Sequence, residues 1–131
     1  MSEENVERVR EGYKFVDREH EPNLDLLHPD VRWHTRADLP DTATHRGHDG
    51  AATLMAGWFG AFDDLRVDVE ELIDVGDRVV AVLRLHGRAR GSAREVEMSE
   101  THVLTMRDGK VTEIHEYPTK AEALRVAGLD E

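Results

Sequence analysis

Val6, Val9, Tyr13 and Val16 recur at spacings of three and four with charges between them, which predicts an amphipathic helix over residues 3–19. Glu3 and Glu4 fall where the dipole of that helix favours negative charge. Asn23 is a good N-cap, so a second, short helix carrying Leu24 and Leu27 is expected, ended by Pro29. Val31 to Thr35 alternates as a strand does. Pro40, Thr42, Thr44 and Gly47 then punctuate a loop over 36–47. Asp49 can cap a helix over about 50–62, whose Leu54, Met55, Trp58, Phe59 and Phe62 form one stripe.

After Asp63-Asp64 the period changes to two. Leu65, Val67 and Val69 alternate with charge, and Gly76-Asp77 signals a turn. Val79 to Leu85 carries little polarity on either side, as a central strand would. Val96 to Met106 and Val111 to Tyr117 flank Asp108-Gly109, a strong hairpin dipeptide. Thr119 and Glu122 make a capping box for a last helix, with Gly128 as its C-cap. Consecutive hairpins mean an antiparallel sheet. Helices grouped before it mean an α+β domain with helices on one face.

Composition narrows the function classes. The 131 residues fit one domain spanning 1–131, long enough to bury a core without staples. A net charge of -11 argues against a nucleic-acid partner, because phosphate binding needs a basic face. No apolar run approaches the roughly 18 residues of a membrane span. The start, MSEENVERVREG, is acidic and amphipathic, unlike a secretory signal. The chain has no cysteine, which excludes a disulfide framework and thiolate chemistry and makes the cytoplasm the default compartment.

Four segments in order carry a resemblance: Leu27-His28-Pro29-Asp30-Val31-Arg32-Trp33-His34, then Arg46-Gly47-His48-Asp49-Gly50, Val75-Gly76-Asp77-Arg78-Val79-Val80, and Met106-Arg107-Asp108-Gly109-Lys110-Val111. With the first helix, they make the chain resemble the SnoaL-like branch of the NTF2-like superfamily, the fold of ketosteroid isomerase, scytalone dehydratase, limonene epoxide hydrolase and polyketide cyclases. The resemblance covers nearly the whole chain. It implies a cone in which a curved, mixed but mainly antiparallel sheet wraps around the long N-terminal helix, encloses an apolar pocket and pairs as a homodimer through its outer face. It does not imply one reaction, because such folds host many.

The resemblance also places candidate residues. In the isomerases an aspartate base stands on the first strand, and the match puts His34 there; histidine titrates near neutrality and can act as acid or base. In polyketide-cyclase relatives a final-strand aspartate is the acid/base group, assisted by a histidine one strand earlier. Glu116 falls on that aspartate and His102 near that histidine. Glutamate for aspartate moves the acid by one methylene.

The hairpin register decides between neighbours. A tight turn at Asp108-Gly109 sets Glu116 opposite Thr101 and His102 opposite His115, whereas a one-residue bulge sets His102 opposite Glu116. Both registers stay open, so Thr101 or His102 holds the substrate oxygen. Threonine cannot replace the second carboxylic acid of the isomerases, which argues against steroid isomerisation.

Aromatic residues are only 5% of the chain. Trp58, Phe59, Trp33 and Tyr13 therefore serve the core first, and those lining the cone also touch a ligand. His45 and His48 have a spacing of three, and His34 could join them, but no cysteine or HExxH pattern supports zinc, so neither metal nor cofactor is expected. His20 and His28 read as surface residues, and His86 and His115 as facing a dimer partner or solvent. The leading expectation is a cofactor-free acid/base enzyme of isomerase, cyclase or dehydratase type acting on an apolar or polycyclic small molecule. The competing expectation is a non-catalytic ligand-binding or structural homodimeric module.

Overall fold

A computed structural model describes residues 2–128. Helix α1 (Ser2–Glu19) is followed by β1 (Leu27–His34), β2 (Thr44–Arg46), α2 (Gly47–Ala61), β3 (Phe62–Val75), β4 (Arg78–Ala89), β5 (Glu95–Arg107), β6 (Lys110–Tyr117) and α3 (Lys120–Val126). The strands form one curved sheet in the order β2-β1-β6-β5-β4-β3. The β1–β6 pair is parallel and the others are antiparallel. This is the mixed α+β cone that the resemblance implies.

The predicted stripe of α1 packs inward. Val9 and Val16 are buried with Val6 and Tyr13 beside them, against β3 and β4. Asp17 ties the helix to β3 by accepting from Arg66 Nε and Nη2 and from the Val67 backbone N–H. Helix α2 covers β1, β2 and the start of β3, closing the cone from the other side.

Several expectations need correction. No second helix forms at Asn23. Its carbonyl accepts from Leu26 and Leu27 N–H, and its side chain accepts from Asp25 N–H, closing one turn only. Pro29 then pushes the residue before it into extended backbone, so β1 begins at Leu27. The expected loop contains β2, which pairs His34 with Thr44 and Trp33 with His45. Helix α2 starts at Gly47 rather than after Asp49, and Arg46 at its N-cap makes no side-chain cap. Gly47 has φ of 68°, and a Cβ there would lie 3.2 Å from the Pro29 carbonyl, so the helix can begin this close to β1 only with glycine. The helices also do not share one face: α3 places Ala123 on Val80 and Val103, opposite the face that Val79, Ala81 and Leu83 turn to α1.

The β5–β6 hairpin combines both registers considered above. Asp108 and Gly109 have φ of 52° and 78°, the pair of left-handed residues that a tight two-residue turn needs. Next to it Arg107 pairs with Lys110 and Met106 with Val111. Thr112 is then left over as a bulge, its hydroxyl donating to the Thr105 carbonyl, and from there His102 pairs with Glu116. Deleting Thr112 should swap the faces of residues 113–117, turn Ile114 and Glu116 outward, and lower the unfolding free energy in urea by at least about 3 kcal/mol, the scale of losing one buried aliphatic side chain.

Candidate functional site

Alternation along three adjacent strands assembles the site. On β5, Glu100 and His102 are two apart and face inward with Leu104. The bulge turns Glu116 of β6 to the same side, and Trp33 arrives from β1. Tyr13 of α1 and Trp58 and Phe59 of α2 close over them around a cavity of about 60 Å³. Glu100, His102 and Glu116 are 3%, 5% and 5% exposed, so three ionisable groups lie inside an otherwise apolar chamber.

Their partners make this tolerable. His102 Nε2–H donates to Glu100 Oε1 at 2.9 Å and lies 3.8 Å from Glu116 Oε2. Trp33 Nε1–H donates to Glu116 Oε2 at 2.7 Å. Tyr13 Oη meets His102 Nδ1 at 2.8 Å, accepting when the imidazole is protonated and donating when it is neutral. Arg36 chelates Asp38 through Nε and Nη2 and brings Nη1 to 4.0 Å from Glu100 Oε2. That Glu100 Oε2 is the buried side-chain polar atom that lacks a hydrogen-bond partner among the described residues.

Burial alone would pull the His102 pKa down. The hydrogen bond to Glu100 and the charges of Glu116 and Glu100 outweigh it and hold the imidazole above its ordinary value. Burial pushes Glu116 up, and the Glu100 charge adds to this while His102 and Trp33 pull the other way. Tyr13 is raised by burial and by the two carboxylates, so its hydroxyl keeps its proton. The trio therefore sets an imidazole that is biased toward its protonated form between two carboxyl groups, an arrangement that general acid/base chemistry can use.

The structure gathers most, but not all, of the expected residues. Glu116, His102, Trp33, Tyr13, Trp58 and Phe59 meet in the cavity. His34 does not. It follows Trp33, so the two-residue period of β1 sends it to the outer face, where it meets Thr44, Glu113 and His115. Thr101 is buried, but it flanks His102 on β5 and pairs with Val82 and Tyr117, so it faces away from the cavity. Glu100 and Arg36 were missed. A Glu-x-His spacing inside a strand already puts both side chains on one face, so Glu100 was legible beside His102. His48 supports the scaffold by donating Nε2–H to the Leu27 carbonyl. Among the described residues, two groups bring three metal-ligand atoms within 4.8 Å of one another: Glu100, His102 and Glu116, and His34, Glu113 and His115. An open outer groove of about 910 Å³ is larger, but His28, Arg32, Arg46 and Lys110 line it on the surface, apart from the buried trio.

The sign of the pH dependence follows from the two raised groups. A His102 held above 6.5 stabilises the fold fully below that value and loses this as pH rises through its folded pKa. A Glu116 held above 4.5 likewise lowers stability as pH rises beyond that value. The melting temperature should fall as pH rises past 6.5, and His102→Gln should flatten that fall in a calorimetric pH series.

Solved structures share this fold. An NTF2-like protein of unknown function from Burkholderia pseudomallei is 26% identical, with 93% of this chain and 95% of that chain covered and a TM-score of 0.73. A putative SnoaL-like polyketide cyclase from a Jannaschia species is 24% identical over 99% and 94% of the two chains, with a TM-score of 0.72. A protein with a ketosteroid isomerase-like fold from Catenulispora acidiphila, solved with trimethylamine, is 15% identical over 93% of each chain, with a TM-score of 0.72. Among curated proteins none matches. The sequence profile of the SnoaL-like domain matches residues 9–114, and with the cone-shaped sheet around its buried acid–histidine–acid trio, this chain belongs to the SnoaL-like family of NTF2-like proteins.

Proposed function

We propose that this protein is a cofactor-free acid/base enzyme, of isomerase, cyclase or dehydratase type, acting on a small molecule held in the cone. One observation carries the reading: Glu100 Oε2 is buried against the cavity wall without a hydrogen-bond donor. An unmet carboxylate oxygen costs on the order of 1–3 kcal/mol or more, so a ligand that brings an O–H or N–H to it recovers that loss on binding. Glu100 anchors the substrate through that oxygen. Glu116 exchanges the proton of the reaction, and His102, protonated between the two, offsets whichever carboxylate is ionised. The base role that the resemblance gave to His34 passes to Glu116, and the oxygen-holding role given to Thr101 passes to Glu100.

The cavity sets the substrate's size. About 60 Å³ is far below the roughly 300 Å³ at which pockets for drug-sized ligands begin. A compact substrate of a few heavy atoms with one hydroxyl or enolisable carbonyl suits this space. A polycyclic one enters only if Trp58 and Phe59 swing away with α2. The likeness to a putative polyketide cyclase supports the reaction class rather than the size. The same reading takes 1–131 as one domain, paired as a homodimer and working in the cytoplasm; the resemblance supports the first two and the lack of cysteine the third.

A panel of small hydroxy-ketones and enolisable carbonyl compounds should contain members that raise the melting temperature. With the best of these, Glu116→Gln should lower kcat by about 10²–10⁴ while the ligand's Kd changes by only a few-fold. A ligand bound equally well but never converted by the wild type would make the protein a binding module. A panel without any stabilising member would end the acid/base reading.

A further inference from the structure

The outer face of the sheet carries a second cluster, independent of the cavity and of the acid/base reading. The parallel register of β1 and β6 sets Arg32 beside Glu113 and His34 beside His115. Glu113 and His115 share a face because they are two residues apart. His34 Nε2 lies 2.7 Å from Glu113 Oε2, and His115 Nε2 lies 3.3 Å from the same oxygen. Two imidazole nitrogens thus converge on one carboxylate oxygen, and the three donor atoms are within 4.8 Å of one another. Donor atoms around a tetrahedral ion with bonds of about 2.0–2.1 Å are separated by about 3.3 Å, which the His115–Glu113 separation already matches while the His34–Glu113 separation is shorter.

We propose that His34, Glu113 and His115 form a binding site for a divalent transition-metal ion of the zinc type on the outer sheet face. Two imidazoles and one carboxylate suit zinc, cobalt, nickel or copper and not magnesium or calcium, which take oxygen ligands. Thr44 Oγ1 lies 2.9 Å from His34 Nδ1 and can accept its N–H, which fixes the ring and leaves Nε2 for the metal. Arg32 Nη2 sits 3.5 Å from the other Glu113 oxygen, Oε1, so it steadies the carboxylate without taking Oε2. Loading the site requires Glu113 Oε2 to draw back slightly and the His34–His115 stack, now 4.2 Å between ring centroids, to tilt so that both lone pairs meet one ion.

Access favours a cation. The His34 and His115 side chains are 27% and 40% exposed, and they border an open groove of about 480 Å³. In the single chain that groove leaves the fourth coordination position to water or to a ligand, and in the proposed outer-face homodimer it is open to a group of the second copy. The net charge of -11 attracts cations to the molecule as a whole, against the positive charge of Arg32 beside the site. The ion would clip β1 to β6, the one parallel pair of the sheet, by bonds that the unfolded chain lacks.

The test is calorimetric titration of the full-length, tag-free, chelator-treated protein with zinc chloride, alongside its melting temperature with and without the ion. The expected result is one ion per chain, a higher melting temperature, and affinity at least tenfold lower in His34→Ala and in His115→Ala. His86→Ala, at the exposed pair with Asp68, should bind as the wild type does. Should either alanine variant fail to fold, Glu113→Gln serves in its place and should show the same tenfold loss. Wild-type affinity in the outer-face variants, or loss only in His102→Gln at the cavity trio, would overturn the proposal, as would no saturable binding at all.

Discussion

Three ionisable side chains share one buried chamber, and each is held there in part by the others. Removing a lone carboxylate from water costs several kcal/mol even after relaxation, and two carboxylates together repel. When His102 carries its proton, it turns that repulsion between Glu100 and Glu116 into attraction, and it does so through Nε2 alone. The second nitrogen is held by Tyr13 on α1 and the far carboxylate by Trp33 on β1. Helix, first strand and last hairpin therefore close on one charge arrangement. The packing that makes the cone and the chemistry proposed for it rest on the same hydrogen bonds.

That arrangement depends on a single extra residue. Without Thr112, the tight Asp108-Gly109 turn would place Glu116 opposite Thr101 on the face that α3 covers with Ala123. The bulge resets every pair beyond it, so one hairpin delivers both the turn that its dipeptide demands and the register that the site needs. Chains of the same fold can reach a different site by losing or moving such a bulge.

The sheet carries chemistry on both faces because strands alternate. Trp33 and His34 are neighbours in sequence, yet one closes the cavity and the other stacks on His115 outside. Glu116 and His115 divide in the same way, as do His102 and Thr101. In each of these three pairs, sequence neighbours have opposite destinations, so adjacency along the chain is no guide to a shared site.

Much was legible in the residues alone. Periods of 3.6 and 2 located α1, α2 and the four long strands, because apolar side chains must share one face to be buried. Asp108-Gly109 marked its turn, since few residues accept left-handed backbone. The resemblance supplied the fold, and with it Glu116, His102 and the aromatic lining. Tertiary structure alone decided the rest. The Asn23 segment became a turn because pairing of Leu27 with Val111 outweighed its weak local helix preference. His34 and Thr101 left the cavity and Glu100 entered it because facing is set by register, and register comes from long-range pairing that a linear pattern does not contain.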